Sequence, residues 1–160
     1  MDQTIESTGC CELIKPELWQ EKEVVWDNKM FVKDHITSIF HIPLNFSGKV
    51  VKNMKLIKEA GAEMEGQLML VDESSLFGAE LFISVPKEVP GAEMASLSGT
   101  FLTKVFEGPY QNAGKWAVEM KEYVKSKGKE LQKIYFFYTA CPKCEKAYGK
   151  NYVVLLAQVK

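Results

Sequence analysis

Apolar residues along the chain alternate in short runs that break at proline or glycine, and twice they give way to helical spacing. Residues 35–43 (HITSIFHIP) alternate and stop at Pro43. In residues 45–61, Phe46, Val50, Met54 and Ile57 recur at helical spacing, Lys49, Lys52, Lys55 and Glu59 take the other side, and Gly61 ends the pattern. The apolar run Leu68–Val71 follows. The same three elements then return: 101–109 (FLTKVFEGP), 110–128 ending in Gly128, and 134–139 (IYFFYT). In the second helical segment Ala113, Ala117, Met120 and Val124 form one face, with Trp116 and Tyr123 beside it. Pro43 and Pro109 are 66 positions apart, and Gly61 and Gly128 are 67 apart.

This repeat predicts two βαββ units over about 35–86 and 99–159, with helices near 46–60 and 110–127 on one side of the sheet; Glu80–Pro86 and Tyr152–Val159 supply the closing strands. Two such units in one short chain usually join about a pseudo-two-fold axis, and the seam is a natural ligand cleft. Val24–Trp26 and Met30–Val32 flank Asp27–Asn28, which reads as a hairpin turn. Lys87–Gly99 is the joint between the halves, and residues 1–12 read as a flexible N-terminal segment before a single domain over 13–160. Strands outnumber helices, so the class is α+β, two helices against a mainly antiparallel sheet.

Composition narrows the functional classes. A 160-residue chain with 46% hydrophobic residues can bury a real core and is globular rather than disordered. All 20 basic residues are lysine and the net charge is −1. Arginine makes the bidentate contacts that nucleic acids favour, so no direct nucleic-acid binding is expected. No apolar run is long enough to span a membrane, and the acidic start lacks the basic and apolar regions of a signal peptide. The expectation is a cytoplasmic protein whose four cysteines are reduced.

Several groups are candidates for chemistry. Aligned on the two prolines, His41 falls opposite Glu107, placing an imidazole and a carboxylate at matching strand ends, away from the core face of Ile36, Phe40, Leu102 and Phe106. Such a pair suits proton transfer or recognition of a cation. Glu80 heads the apolar strand ELFISVP, where a carboxylate is either exposed at an edge or held inside with a raised pKa. In an enzyme, Glu107 or Glu80 would activate water and His41 or Tyr138 would protonate the leaving group. Trp26, Phe101, Phe106, Tyr110, Trp116, Tyr135 and Phe137 are core aromatics that also suit flat or cationic ligands. Cys141 and Cys144 form half a zinc site, and Cys10 and Cys11 are the remaining thiols for a second pair. No cofactor is required by any motif, and a structural zinc is the one metal the cysteines suggest. Phosphate loops, nucleophile elbows and dinucleotide fingerprints are absent from the sequence.

The duplicated plan, with FEGPY (residues 106–110) at the second strand-to-helix junction and ELFISVP as a closing strand, resembles the GyrI-like effector-binding superfamily. The stretches WDNKMFVKDHITSIFHIPLNF and YFFYTACPKCEKAYGKNYVVLLAQV are similar to a bacterial branch of stand-alone GyrI-like proteins often labelled hydrolases, so the resemblance covers about residues 12–159. It implies a curved antiparallel sheet with a central cleft that takes flat, hydrophobic, often cationic compounds. In regulators such a module senses drugs beside a helix-turn-helix domain, which this sequence lacks. One enzymatic branch hydrolyses cyclopropane-bearing DNA alkylators with carboxylate and aromatic residues. The expected function is therefore binding of a hydrophobic, flat or cationic small molecule, with hydrolysis or sequestration of a toxic compound. The alternative is a non-enzymatic effector-binding or protein-interaction module, such as a gyrase-binding protein.

Overall fold

The computed structural model describes residues 16–39, 42–43, 46–63, 68–72, 78–108, 112–138 and 152–160. After a short 3-10 turn (Pro16–Leu18), the described elements are β1 (Lys22–Ile39), β2 (Ile42–Pro43), α1 (Phe46–Glu59), β3 (Met69–Asp72), β4 (Gly78–Ser84), β5 (Glu93–Glu107), α2 (Ala113–Ser126), β6 (Leu131–Tyr138) and β7 (Tyr152–Val159). The architecture is α+β with antiparallel strand pairing, as the periodicity predicts. The chain divides into two compact units, Trp26–Gly99 and Thr100–Lys160 with the stretch up to Val25.

In the unit Trp26–Gly99, β1 pairs with β4 from Phe31↔Ser84 to Thr37↔Gly78, and β4 pairs with β3 from Met69↔Ile83 to Asp72↔Glu80. Directly opposed residues share a face. Val32, Ile36, Ile83, Leu81, Ala79 and Val71 therefore line one face, all buried, and Ile57 and Asn53 of α1 are buried too. Asp34 sits among them and fastens the helix: its Oδ2 accepts from Asn53 Nδ2 at 2.8 Å, and its Oδ1 lies 3.3 Å from Lys49 Nζ. Lysine 49 thus belongs to the sheet side of α1, although its spacing reads as solvent-facing. The other face carries Phe31, Lys33, His35, Leu70, Asp72, Glu80 and Phe82.

The second unit repeats this order. β5 pairs with β7 from Thr100↔Val159 to Glu107↔Tyr152, and β7 pairs with β6 from Leu131↔Val159 to Tyr138↔Val153. In both units the first strand pairs with the last, and the middle strand lies on the far side of the last. The face under α2 packs Leu102, Phe106, Phe136, Val153, Leu155 and Ala157 against Trp116, Met120, Tyr123 and Val124. Burying that stripe is what holds a helix of only 14 residues, because isolated helices of this length are marginal. Lys104 and Lys127 place ammonium groups 5.2 and 5.5 Å from the Tyr123 ring. Burial pushes the Tyr123 hydroxyl pKa up, and the negative charge of Glu21 adds to the shift.

Two further sequence expectations are corrected. Asp27–Asn28 is not a hairpin turn: β1 runs unbroken for 18 residues. A two-residue hairpin of the favoured type needs positive φ at both positions. Asn28 has φ of 52° and Asp27 is not among the positive-φ residues, so the strand is only deflected. The Asn28 N–H donates to Ser98 Oγ at 2.8 Å, which fixes the deflection. Lys87–Gly99 is not wholly a joint either, because β5 begins at Glu93. Its first seven residues, EMASLSG, are exposed or half-buried, so no buried alternation marks them as strand.

Candidate functional site

Because alternate residues of β5 point to opposite faces, the chain places Leu102 and Phe106 under α2 and Phe101, Thr103, Val105 and Glu107 on the far side. On that far side Phe101 packs against Tyr135 (ring centroids 6.2 Å apart). Phe137 meets the edge of Trp19 at 5.8 Å. The turn from Pro16 to Glu21 is fastened over the same strand: Thr103 Oγ1 donates to the Trp19 carbonyl, and the Val105 N–H donates to Gln20 Oε1 at 2.8 Å.

These attachments frame an open depression of about 600 Å³ lined by Pro16, Glu17, Gln20, Val105, Glu107 and Tyr152. Glu107 and Tyr152 are direct cross-strand partners. The walls offer two carboxylates, a phenol ring and the apolar surfaces of Pro16 and Val105. Carboxylates accept hydrogen bonds and attract cations, and a tyrosine ring adds a negative face. The arrangement is suited to a cation with an apolar body.

The sequence candidates fall in several places. Glu107 is exposed at the depression. Phe101, Tyr135 and Phe137 are buried on the same sheet face, whereas Phe106 and Trp116 stack at 5.6 Å inside the core under α2. Trp26 belongs to the other unit, tilted against Phe31 at 5.7 Å with Lys29 over its ring. Glu80 is half-buried, and His35 Nδ1 lies 3.2 Å from its Oε1. Tyr138 stands opposite Val153 in the β6–β7 ladder. His41, Tyr110, Cys10, Cys11, Cys141 and Cys144 lie outside the described residues. Among the described residues no group of three or more histidines, cysteines and acids is placed to hold a metal, and no helix is long and apolar enough to cross a membrane.

Sequence reasoning missed Glu17, Gln20, Tyr152 and His35. Tyr152 was within reach, because pairing the first and last strands of the second repeat sets it against Glu107. The same pairing in the first repeat sets His35 against Glu80. Nothing in the local pattern of Pro16–Glu21 announces that it covers β5.

The chain matches a family model described as bacterial hydrolase over residues 1–159. Among solved structures it is similar to the EcmrR C-terminal domain, at 11% identity and a TM-score of 0.68, covering 89% of this chain and 98% of that one. A hydrolase from Listeria innocua matches at 11% identity and a TM-score of 0.60, covering 99% of this chain and 98% of that one. The structure of SAV2435 bound to tetraphenylphosphonium matches at 11% identity and a TM-score of 0.52, covering 88% of this chain and 94% of that one. No curated protein matches the sequence. At such identities the structural likeness is one of fold, and it is the match over nearly the whole sequence that assigns the chain to the bacterial hydrolase family.

Proposed function

We propose that this protein is a GyrI-like effector-binding module that takes up a hydrophobic, flat or cationic small molecule, with Glu107 as the anionic contact. The observation that carries the reading is the depression where Glu107 and Glu17 stand with Tyr152 beside apolar Val105 and Pro16. The tetraphenylphosphonium carried by SAV2435 is a lipophilic cation, a ligand type that would suit such a lining, and this supports the reading. Sequestration of a toxic compound needs no more than this. The family description favours hydrolysis as a second fate for what is bound.

The test is calorimetric titration with tetraphenylphosphonium and with neutral triphenylphosphine oxide. Glu107→Gln preserves shape and removes one charge. Across an open, water-filled site a contact at 4 Å is worth about 1 kcal/mol, or roughly fivefold in affinity. Glu107→Gln is expected to weaken the phosphonium by about that factor and leave the oxide unaffected. Equal affinities in variant and parent for both compounds would remove Glu107 from the site.

A further inference from the structure

We propose that His35 and Glu80 form a general-base pair for ester hydrolysis, with Glu80 as the positioning residue and Lys33 as the cation for the developing oxyanion. The proposal rests on the hydrolytic reading of the family and uses residues other than those of the Glu107 depression. His35 and Glu80 are directly opposed on β1 and β4, with His35 Nδ1 3.2 Å from Glu80 Oε1. A carboxylate accepts but does not donate, so it selects the imidazole tautomer with the proton on Nδ1 and leaves the Nε2 lone pair free. The imidazole remains 59% exposed, so water can reach it.

A second observation concerns what lies against the ring. The imidazole lies against Gly78, where a Cβ would meet His35 Cε1 at 2.6 Å and Nε2 at 3.0 Å. The next atom a Cβ would meet there is the Ile36 carbonyl oxygen, at an ordinary 3.5 Å.

The charged surroundings complete the set. Lys33, two residues before His35 on the same face, lies 4.0 Å from Glu80 Oε2 and 3.9 Å from Glu93 Oε2. Asp72 stands opposite Glu80 on β3. Asp34, on the α1 side, accepts the His35 backbone N–H through Oδ1 at 2.7 Å. In the step, a water oxygen bonds to the acyl carbon while its proton passes to Nε2. The carbonyl electron pair moves onto oxygen beside Lys33. Collapse breaks the bond to the alcohol oxygen, which takes the proton back from Nε2. Water and ester give acid and alcohol, and no other reactant is needed.

The chain has two histidines, so ¹⁵N-histidine labelling gives two imidazole spectra, and His35→Asn assigns them. The neutral His35 ring is expected as the Nδ1–H tautomer, and Glu80→Ala is expected to return it to the Nε2–H form usual in water. Hydrolysis of p-nitrophenyl acetate should fall by about 10²-fold in His35→Asn. Gly78→Ala keeps every ionisable group but displaces the ring, and should lose a comparable factor, about 10²-fold, with the fold intact by circular dichroism. A wild-type Nε2–H tautomer, or ester turnover unchanged in either His35→Asn or folded Gly78→Ala, overturns the proposal and leaves the Glu107 reading standing. Failure of the phosphonium titration overturns that reading and leaves this one standing.

Discussion

Asp34 is where α1 is joined to its sheet, and its removal should be the most informative stability change in the unit Trp26–Gly99. Its side chain is 17% exposed, and it accepts from Asn53, which is itself only 2% exposed. A hydrogen bond to a charged group contributes about 1.5–3 kcal/mol, and a buried donor left without its acceptor bears the desolvation penalty. Asn53 Nδ2 retains a bond to the Lys49 carbonyl at 2.8 Å, which limits that penalty. Lys49 and Lys52 are 29% and 60% exposed, so their ion pairs together add about 1 kcal/mol at most. Asp34→Ala should therefore destabilise by about 2–4 kcal/mol, read as a lowered urea midpoint with unchanged slope. The double change Asp34→Val with Asn53→Leu removes both polar partners and should recover most of the loss. A single-variant effect below about 0.5 kcal/mol, the range of an ordinary surface substitution, would refute the anchor.

The same carboxyl sets an acid limit. Burial alone would raise its pKa, but hydrogen bonds from Asn53, the His35 amide and Lys49, with the charge of Lys49, overcome this and hold it below the ordinary 3.8. A carboxyl with a depressed folded pKa contributes its full stability above the unfolded value and loses it as pH falls toward the folded one. The advantage of the parent over Asp34→Asn should thus be constant near neutrality and shrink as pH falls below about 5.

Other outcomes can be checked directly. Gly108, with φ of 142°, turns the chain out of β5 beside Glu107; a Cβ there meets Asn112 and Trp116 only at 3.5 Å, so the strain of Gly108→Ala lies in the backbone. That change should lower stability by about 1–3 kcal/mol in urea denaturation. Met120→Ala, fully buried under β5–β7, should lower it by about 2–5 kcal/mol. For the cysteines, elemental analysis of protein purified without added metal decides: about one zinc per chain, lost in Cys144→Ser, is the result for a structural site, and metal-free protein ends that expectation.

The repeat made the fold legible because prolines and glycines punctuate it. The helices lie within the expected ranges, at Phe46–Glu59 and Ala113–Ser126, and Tyr152–Val159 begins and ends where the repeat places it. Alternation also separates Glu107 from the core residue Phe106, so one member of the candidate site could be read locally. Its neighbours could not. Glu17 and Gln20 reach β5 across more than 80 positions, through contacts such as Gln20 with Val105 that leave no periodic trace. Asp27–Asn28 failed for a related reason: the dipeptide is compatible with a turn or a deflected strand, and a distant serine, Ser98, decides between them.

The division of the chain bears on its synthesis. Trp26–Gly99 is continuous in sequence, whereas the other unit joins the stretch ending at Val25 to Thr100–Lys160. During translation the residues that hold Gln20 and Trp19 in place, Val105 and Thr103, emerge only after the whole intervening unit. The turn that frames the Glu107 depression must therefore wait on the ribosome for its partners. Conditions that slow elongation through residues 26–99 should lengthen the time for which Trp19 stays exposed to chaperones and proteases.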